Sequence, residues 1–254
     1  MRIGTINGAC ASNVSAAGAG EPIARPARGL LKQSRGSRYL RIMAASRSVL
    51  VFGATGRVGA AVIAQASAAG HRVTAFVRDP RRLGPVQAGV SVAVGDIYQP
   101  ATIERAMAPG FDAVIVTVGA DPLKPSTVVT DSARAIVAAA RKTGVPRYLG
   151  ITGTAEMPDK TFLGRLSTAI LRLTPVGNAA KDHDGAFEAV RSSGLDWTLA
   201  GCPYIKDGPA RAQYRTSTVF PGGFKIIHPG DVAHFLVGEL GSHQHPNAVI
   251  GIWY

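Results

Sequence analysis

Cysteine is almost missing from this chain of 254 residues, which has only Cys10 and Cys202. Two thiols so far apart in sequence build neither a disulfide framework nor a zinc site, so a buried core must hold the fold, and a reducing compartment is the default expectation. No apolar run approaches the ~18 residues needed to cross a bilayer, so no membrane partner is expected. Acids are also scarce, 16 against 28 Lys and Arg, which leaves a formal charge of +12. A charge of that size suggests nucleic acid until its position is considered. Residues 1–46 carry seven basic side chains (Arg2, Arg25, Arg28, Lys32, Arg35, Arg38, Arg41) against the single acid Glu21, a net of +6. The remainder holds the other +6, which binding of an anionic cofactor partly explains, so no nucleic-acid partner is expected.

The first 46 residues are rich in Gly, Ala, Ser and Arg and show no sustained period, as in a disordered leader. A transit peptide fits the Arg and Ser enrichment but lacks a clear amphipathic helix. A secretory signal lacks its apolar stretch. The favoured expectation is a reading frame that begins at Met43, with a cytoplasmic protein and with import into an organelle as the minority reading. The expected division is therefore a leader over 1–46 and one domain over 47–254.

From Arg47 onward strands and helices alternate, which predicts an α/β fold, a single Rossmann-like domain with a doubly wound parallel sheet. Strands are expected at Ser48–Phe52, Arg72–Val77, Val90–Val94, Ala113–Val118, Arg147–Ile151 and Asp196–Ala200. Helices are expected at Val58–Ala69, Ala101–Ala108, Ser126–Lys142 and Asp182–Ser192, with Gly70, Gly144 and Gly194 as stops. The Pro- and Gly-rich segment 201–223 should fold over the C-terminal edge of the sheet, where ligands of such folds bind. A strand around Phe224–Ile227, a helix capped by Asp231 and a strand at Ala248–Trp253 complete the chain.

The first strand runs into Gly53-Ala54-Thr55-Gly56-Arg57-Val58-Gly59 and then into an Ala-rich helix. Glycines at this spacing suit a dinucleotide. Gly53 permits the tight turn, Gly56 a close approach to a pyrophosphate, and Gly59 close packing of helix on strand, with the phosphates on the helix N-terminus. The pattern gains its weight from standing between a strand and a helix. Arg78, at the end of the second strand, points to the 2′-phosphate of NADP(H), with Arg57 as a second clamp, although Asp79 beside it suits a ribose hydroxyl. Asp96 and Ile97 follow the third strand, where they suit the adenine edge, and Asp96 suits a helix cap equally well. Val118, Gly119 and Ala120 close the fourth strand and leave room for the cofactor.

Several further segments carry a resemblance. They are Thr74-Ala75-Phe76-Val77-Arg78-Asp79, Gly95-Asp96-Ile97, the run from Asp112 to Val116, Ser126 to Val129 and Ser132 to Ala139. This set resembles the atypical, NmrA-like short-chain dehydrogenases, and most of all the flavin reductase / biliverdin-IXβ reductase family. Asp182-His183, the run from Val190 to Leu195, and the loop from Pro203 through Tyr204 and Ile205 to Pro209 are similar to that family's later helix and substrate-side loop, and the resemblance implies cofactor contacts at Pro203, Tyr204 and Ile205. The likeness covers about residues 47–252. It implies NADPH as cofactor and a flavin, tetrapyrrole-like or quinone-like small molecule as acceptor. Oligomeric state stays open.

Tyrosine-dependent members of the superfamily carry Tyr-x-x-x-Lys. Here Tyr39, Tyr98, Tyr148, Tyr204 and Tyr214 are followed four residues later by Met43, Thr102, Thr152, Gly208 and Thr218. That absence weakens an epimerase or dehydratase reading. It leaves Thr152 and His183 as candidate catalytic groups, Thr152 being also a cofactor-binding candidate that suits the nicotinamide amide or a water, and His183 being placed in the first turn of its helix. Gly201 stands where many NmrA-like sequences have an arginine before proline, and the flavin reductases also lack that arginine. Gly153 replaces the family's serine, so any role of that hydroxyl passes to Thr152 or Thr154. Hydride transfer to a conjugated acceptor needs orientation more than a strong protein acid. The alternative expectation is a non-catalytic NADP(H) sensor. Cys202 and Trp197 read as core, and His243 and His245 as solvated.

Overall fold

The computed structural model describes residues 46–84, 89–119, 121 and 123–254. All of the expected leader except Ser46 lies outside the described residues, as does Ala120 of the candidate site. The elements run β1 (Ser48–Phe52), α1 (Arg57–Ala68), β2 (Arg72–Val77), β3 (Val90–Val94), α2 (Pro100–Met107), β4 (Ala113–Val116), α3 (Val128–Thr143) and β5 (Arg147–Gly153). A single 3₁₀ turn, Thr154–Glu156, leads to β6 (Asp159–Lys160), α4 (Phe162–Arg172), α5 (Gly177–Arg191), β7 (Asp196–Cys202) and β8 (Tyr204–Ile205). Then come β9 (Arg215–Ser217), β10 (Val219–Phe220), β11 (Ile226–Ile227), α6 (Pro229–Ser242) and β12 (Ala248–Trp253).

The main sheet has the order β3-β2-β1-β4-β5-β7-β12-β9, parallel except for β9 at its edge. Strand order reverses between β1 and β4, and that switch point opens a crevice at the C-terminal strand ends. Both faces are covered. Val58, Val62 and Ile63 of α1 and Val232, Phe235 and Leu236 of α6 pack on one face; Ile103, Ile136 and Val190, from α2, α3 and α5, pack on the other. A strand buried on both sides reads as a continuous apolar run, as Val49 to Phe52 do. No helix among the described residues is long and apolar enough to cross a membrane.

The first six expected strands all keep their starts and the last its full span, but β4 stops at Val116 while β5 and β7 each run two residues further. Helix α5 begins at Gly177, five residues before its expected start, and α4 has no counterpart among the expected helices. Asp231 does not cap α6. His228 holds the cap position, and the buried Asp231 carboxylate accepts N–H groups from Arg211 at 3.0 Å and Ala212 at 2.7 Å, and the Tyr254 hydroxyl. Asp231 therefore pins the loop that crosses the sheet edge.

Candidate functional site

The β1–α1 turn builds the site's floor. Gly53 sits at φ +76°, and a Cβ there would lie 2.6 Å from the Thr117 carbonyl carbon. A Cβ on Gly59 would lie 2.1 Å from the Gly53 oxygen. Turn and helix therefore touch through backbone, as the glycine spacing predicts. The Gly56 N–H donates to the Gly53 carbonyl at 2.9 Å, while Gly56 caps α1 without a side-chain bond. The first turn of α1 holds no acid. The N–H groups of Arg57, Val58 and Gly59 thus have neither an intrahelical acceptor nor a capping side chain, which fits the pyrophosphate of a dinucleotide. Ala54 and Val58 are buried and anchor the turn, whereas Thr55, Gly56 and Arg57 face solvent.

Thr117 braces this turn. Its hydroxyl donates to the Phe52 carbonyl at 2.9 Å, and its N–H donates to the same oxygen at 3.0 Å. Sequence reasoning passed over it, because the expected fourth strand ran through residue 117, whereas β4 ends at Val116 and leaves Thr117 at the switch point. Beyond it, Val118 is half-buried and Gly119 exposed, with open space where a side chain would stand.

Arg57 reaches across the crevice. Its Nη1 lies 2.6 Å from Asp207 Oδ1 and 3.4 Å from the Ile205 carbonyl, so it ties the glycine turn to the segment holding Pro203, Tyr204 and Ile205. Tyr204 is exposed and its ring lies 6.2 Å from that of Phe224, which is also exposed. At the other end of the crevice Asp79 is engaged by Arg81, whose Nε and Nη2 sit 2.9 and 3.0 Å from its carboxylate oxygens. Those bonds hold the Asp79 carboxyl below its usual range. Arg78 is exposed, and no ion pair to it is found among the described residues. Asp96 accepts the Tyr98 N–H at 3.1 Å in a local turn and does not cap α2, whose cap position is Gln99. Ile97 packs partly buried against the α2–α3 side of the core.

At the end of β5 the Thr152 side chain is buried, its Oγ1 3.2 Å from Glu156 Oε2. Glu156 was missed by sequence reasoning. Its carboxyl is wholly enclosed and is pushed up to about 7, first by burial and then by the nearby Asp184 charge. His183 lies in the second turn of α5, half-buried rather than exposed in a first turn, and its Nδ1 is sealed from solvent without a hydrogen bond. Burial pushes its imidazole down, toward the neutral form. The preceding Asp182 serves the structure, since its carboxylate accepts the Val129 and Thr130 N–H groups at 3.1 and 2.8 Å and so caps α3 from a neighbouring helix.

Cys202 and Trp197 are core, and burial pushes the Cys202 thiol far up, away from nucleophilic chemistry. His243 and His245 are each engaged by a different carboxylate, Asp196 at 2.7 Å and Glu239 at 2.8 Å.

A doubly wound sheet with an uncapped glycine turn at its switch point defines a nucleotide-binding protein of Rossmann type. The chain belongs to the NAD(P)H-binding family, whose model matches residues 53–243, and it is oxidoreductase-like in that membership. It is similar to the isoflavone reductase homolog IRL of Zea mays, with 32% identity covering 83% of this chain and 70% of that protein. Its fold matches that of a protein from Streptococcus pneumoniae provisionally described as an NADH-flavin reductase, at 23% identity and TM-score 0.66, covering 82% of this chain and 99% of the other. It also matches a wide-type short-chain dehydrogenase/reductase from Veillonella parvula in complex with NADP, at 16% identity and TM-score 0.63, covering 81% and 94%.

Proposed function

We propose that this chain is an NADPH-dependent reductase that passes a hydride to a flavin or a related conjugated acceptor, biliverdin- or quinone-like. The observation that carries the reading is the Arg57 bridge. It holds β8 beside the glycine turn, so that the solvent-facing aromatic pair Tyr204 and Phe224 borders the dinucleotide cradle. Exposed rings favour stacking with a planar, conjugated partner. The dinucleotide, when bound, supplies the hydride. The chain's share is to bind it on the α1 N-terminus, to orient the acceptor, and to hold a proton at the end of β5. The flavin-linked description of the Streptococcus pneumoniae protein and the NADP held by the Veillonella parvula protein agree with this reading.

The preference for the phosphorylated dinucleotide rests on two neighbours. Asp79, the acid that would take a ribose hydroxyl, is engaged by Arg81, while Arg78 projects into solvent. Arg78→Ala is expected to weaken NADPH about 10- to 100-fold and NADH less than threefold, since a charge-assisted phosphate bond contributes about 1.5–3 kcal/mol. Titration of each dinucleotide into wild type and variant checks this, and equal losses would remove the assignment. The activity itself is tested by NADPH oxidation with FMN, biliverdin and a simple quinone offered in turn. Turnover above the protein-free rate supports the reductase. Saturable binding without turnover would turn the reading into a redox sensor.

A further inference from the structure

Among the described residues no hydrogen bond or ion pair joins the charged cluster around Glu156 to the glycine turn. Glu156 ends the 3₁₀ turn after β5, with its side chain wholly buried. Oε2 meets Thr152 Oγ1 at 3.2 Å, while Oε1 is sealed from solvent and makes no hydrogen bond. Arg172 of α4 faces it, but with Nη2 3.9 Å away, because the Arg172 fork is spent on Asp184 of α5 at 2.7 and 2.8 Å. Lys160 of β6 is the other nearby cation, and it donates to the Met157 carbonyl. From α5, Asp184 adds a negative charge, and His183 is held toward its neutral form. An enclosed carboxyl without a close counter-charge favours its protonated state. A Cβ on Gly153 would stand 2.7 Å from Glu156 Oε2, so the glycine there leaves room for this carboxyl.

This inference rests on the reductase reading. In that reaction the acceptor gains two electrons and one proton as a hydride from the reduced nicotinamide, and it remains one proton short of its neutral reduced form. We propose that Glu156 supplies the second proton through Thr152. The Thr152 O–H bond breaks as a bond from that proton to the acceptor forms. The Glu156 O–H bond breaks as the Thr152 hydroxyl is remade, and between turnovers the enclosed carboxylate regains its proton through Thr152, whose hydroxyl takes one in turn from water that enters as the product leaves. The hydroxyl rotor allows this, because a protonated Glu156 donates to Thr152 and frees the threonine proton to point at the acceptor. Thr152 is then the group that touches the acceptor, and Glu156 is a positioning residue that keeps it charged with a proton.

Two variants test this, Glu156→Gln and Thr152→Val, with Glu156→Asp as the conservative control. In the dinucleotide-free protein, carboxyl titration by infrared difference spectroscopy should find a group titrating near neutrality in wild type and not in Glu156→Gln. Because its folded value lies above the ordinary 4.5, the wild type should lose stability relative to Glu156→Gln as pH rises from about 4.5 to about 7. In turnover, wild-type kcat should fall as pH rises through about 7. Glu156→Gln should lower kcat about 10- to 100-fold and flatten that profile, with NADPH affinity within threefold of wild type. Thr152→Val should lower kcat to the same extent, and Glu156→Asp should restore part of the loss with a pH profile of its own. If Glu156→Gln or Thr152→Val retains wild-type kcat and pH profile, or if wild type shows no carboxyl titrating near neutrality, the proton relay is overturned and the reductase reading stands. If wild type turns over no acceptor, both are overturned.

Discussion

Gly59→Ala is expected to weaken NADPH binding about 100-fold and to lower the melting temperature as well. The atoms its Cβ would meet are all backbone: the Gly53 oxygen at 2.1 Å, the Gly53 carbonyl carbon at 2.8 Å and the Ala54 Cα at 2.9 Å. No rotamer change relieves such a clash. Either α1 backs away from the turn or the turn flattens, at an overpacking cost of about 1–3 kcal/mol. Both movements carry the N–H groups of residues 57–59 off the position where they converge, and each hydrogen bond to a charged oxygen is worth about 1.5–3 kcal/mol. Loss of the equivalent of one or two such bonds gives about 3 kcal/mol, or roughly 100-fold in Kd. Gly238→Ala is the control. It lies within α6 with open space around its Cβ, so the change should leave binding unaltered and stabilise the helix by about 0.5–1 kcal/mol. Calorimetric titration with NADPH beside thermal melts separates the two effects. Binding by Gly59→Ala within threefold of wild type would show that the turn is not the pyrophosphate cradle.

The sequence makes the sheet legible because burial on both faces prints itself as apolar runs. Val49 to Phe52 is such a run, closed by Gly53 at the site, and Val73 to Val77 follows it with Thr74 as its one polar residue. Helix α4 escapes the same logic. Its inward face carries Gly164 and Thr168, while Phe162, Leu163, Leu166, Ile170 and Leu173 face solvent, so its apolar stripe is no guide to the core. The paired strands β6–β10 and β8–β11 have two residues each, too short for alternation to register. In the candidate site, the glycine turn was legible from pattern and place, and Arg78 and Thr152 stand as candidates on the same ground. Thr117 and Glu156 were not, because the role of each comes from a contact made only when distant segments close together. Thr117 touches Phe52, and the acidity of Glu156 is set first by its burial and then by the Asp184 charge of α5. Nothing in the string Thr154-Ala155-Glu156-Met157-Pro158 distinguishes a buried acid from a solvated one. Asp231 shows the converse error: its position before a helix suggests a cap, yet its carboxylate faces the loop at Arg211 and Ala212.

Glu239→Ala is expected to destabilise the fold by about 3–5 kcal/mol, which for a domain of this size lowers the melting temperature by about 6–20 °C. Arg147, the first residue of β5, is buried with Nη1 2.8 Å from Asp196 Oδ2, and its Nη2 reaches Thr198 Oγ1 at 3.1 Å, the Glu239 carbonyl at 3.4 Å and Glu239 Oε2 at 3.5 Å. Glu239 is almost fully enclosed, and its other oxygen holds His245 Nδ1 at 2.8 Å. Removing the carboxylate leaves a guanidinium in a low-dielectric site with one anion in place of two, and it frees His245 from the turn before β12. The penalty comes from the stranded charge rather than from lost attraction, and that distinction is testable. Arg147→Met combined with Glu239→Leu removes both charges and fills the space with apolar atoms, and it should recover most of the loss. The cluster lies about five residues of strand below Thr152, roughly 16 Å at the rise of a β-strand, so NADPH affinity at permissive temperature should not change in either variant. Equal destabilisation by the single and double variants would mean that the pairing itself stabilises the join of β5, α6 and β12. Recovery in the double variant would assign the cluster to neutralising Arg147, which the sheet buries at its N-terminal edge.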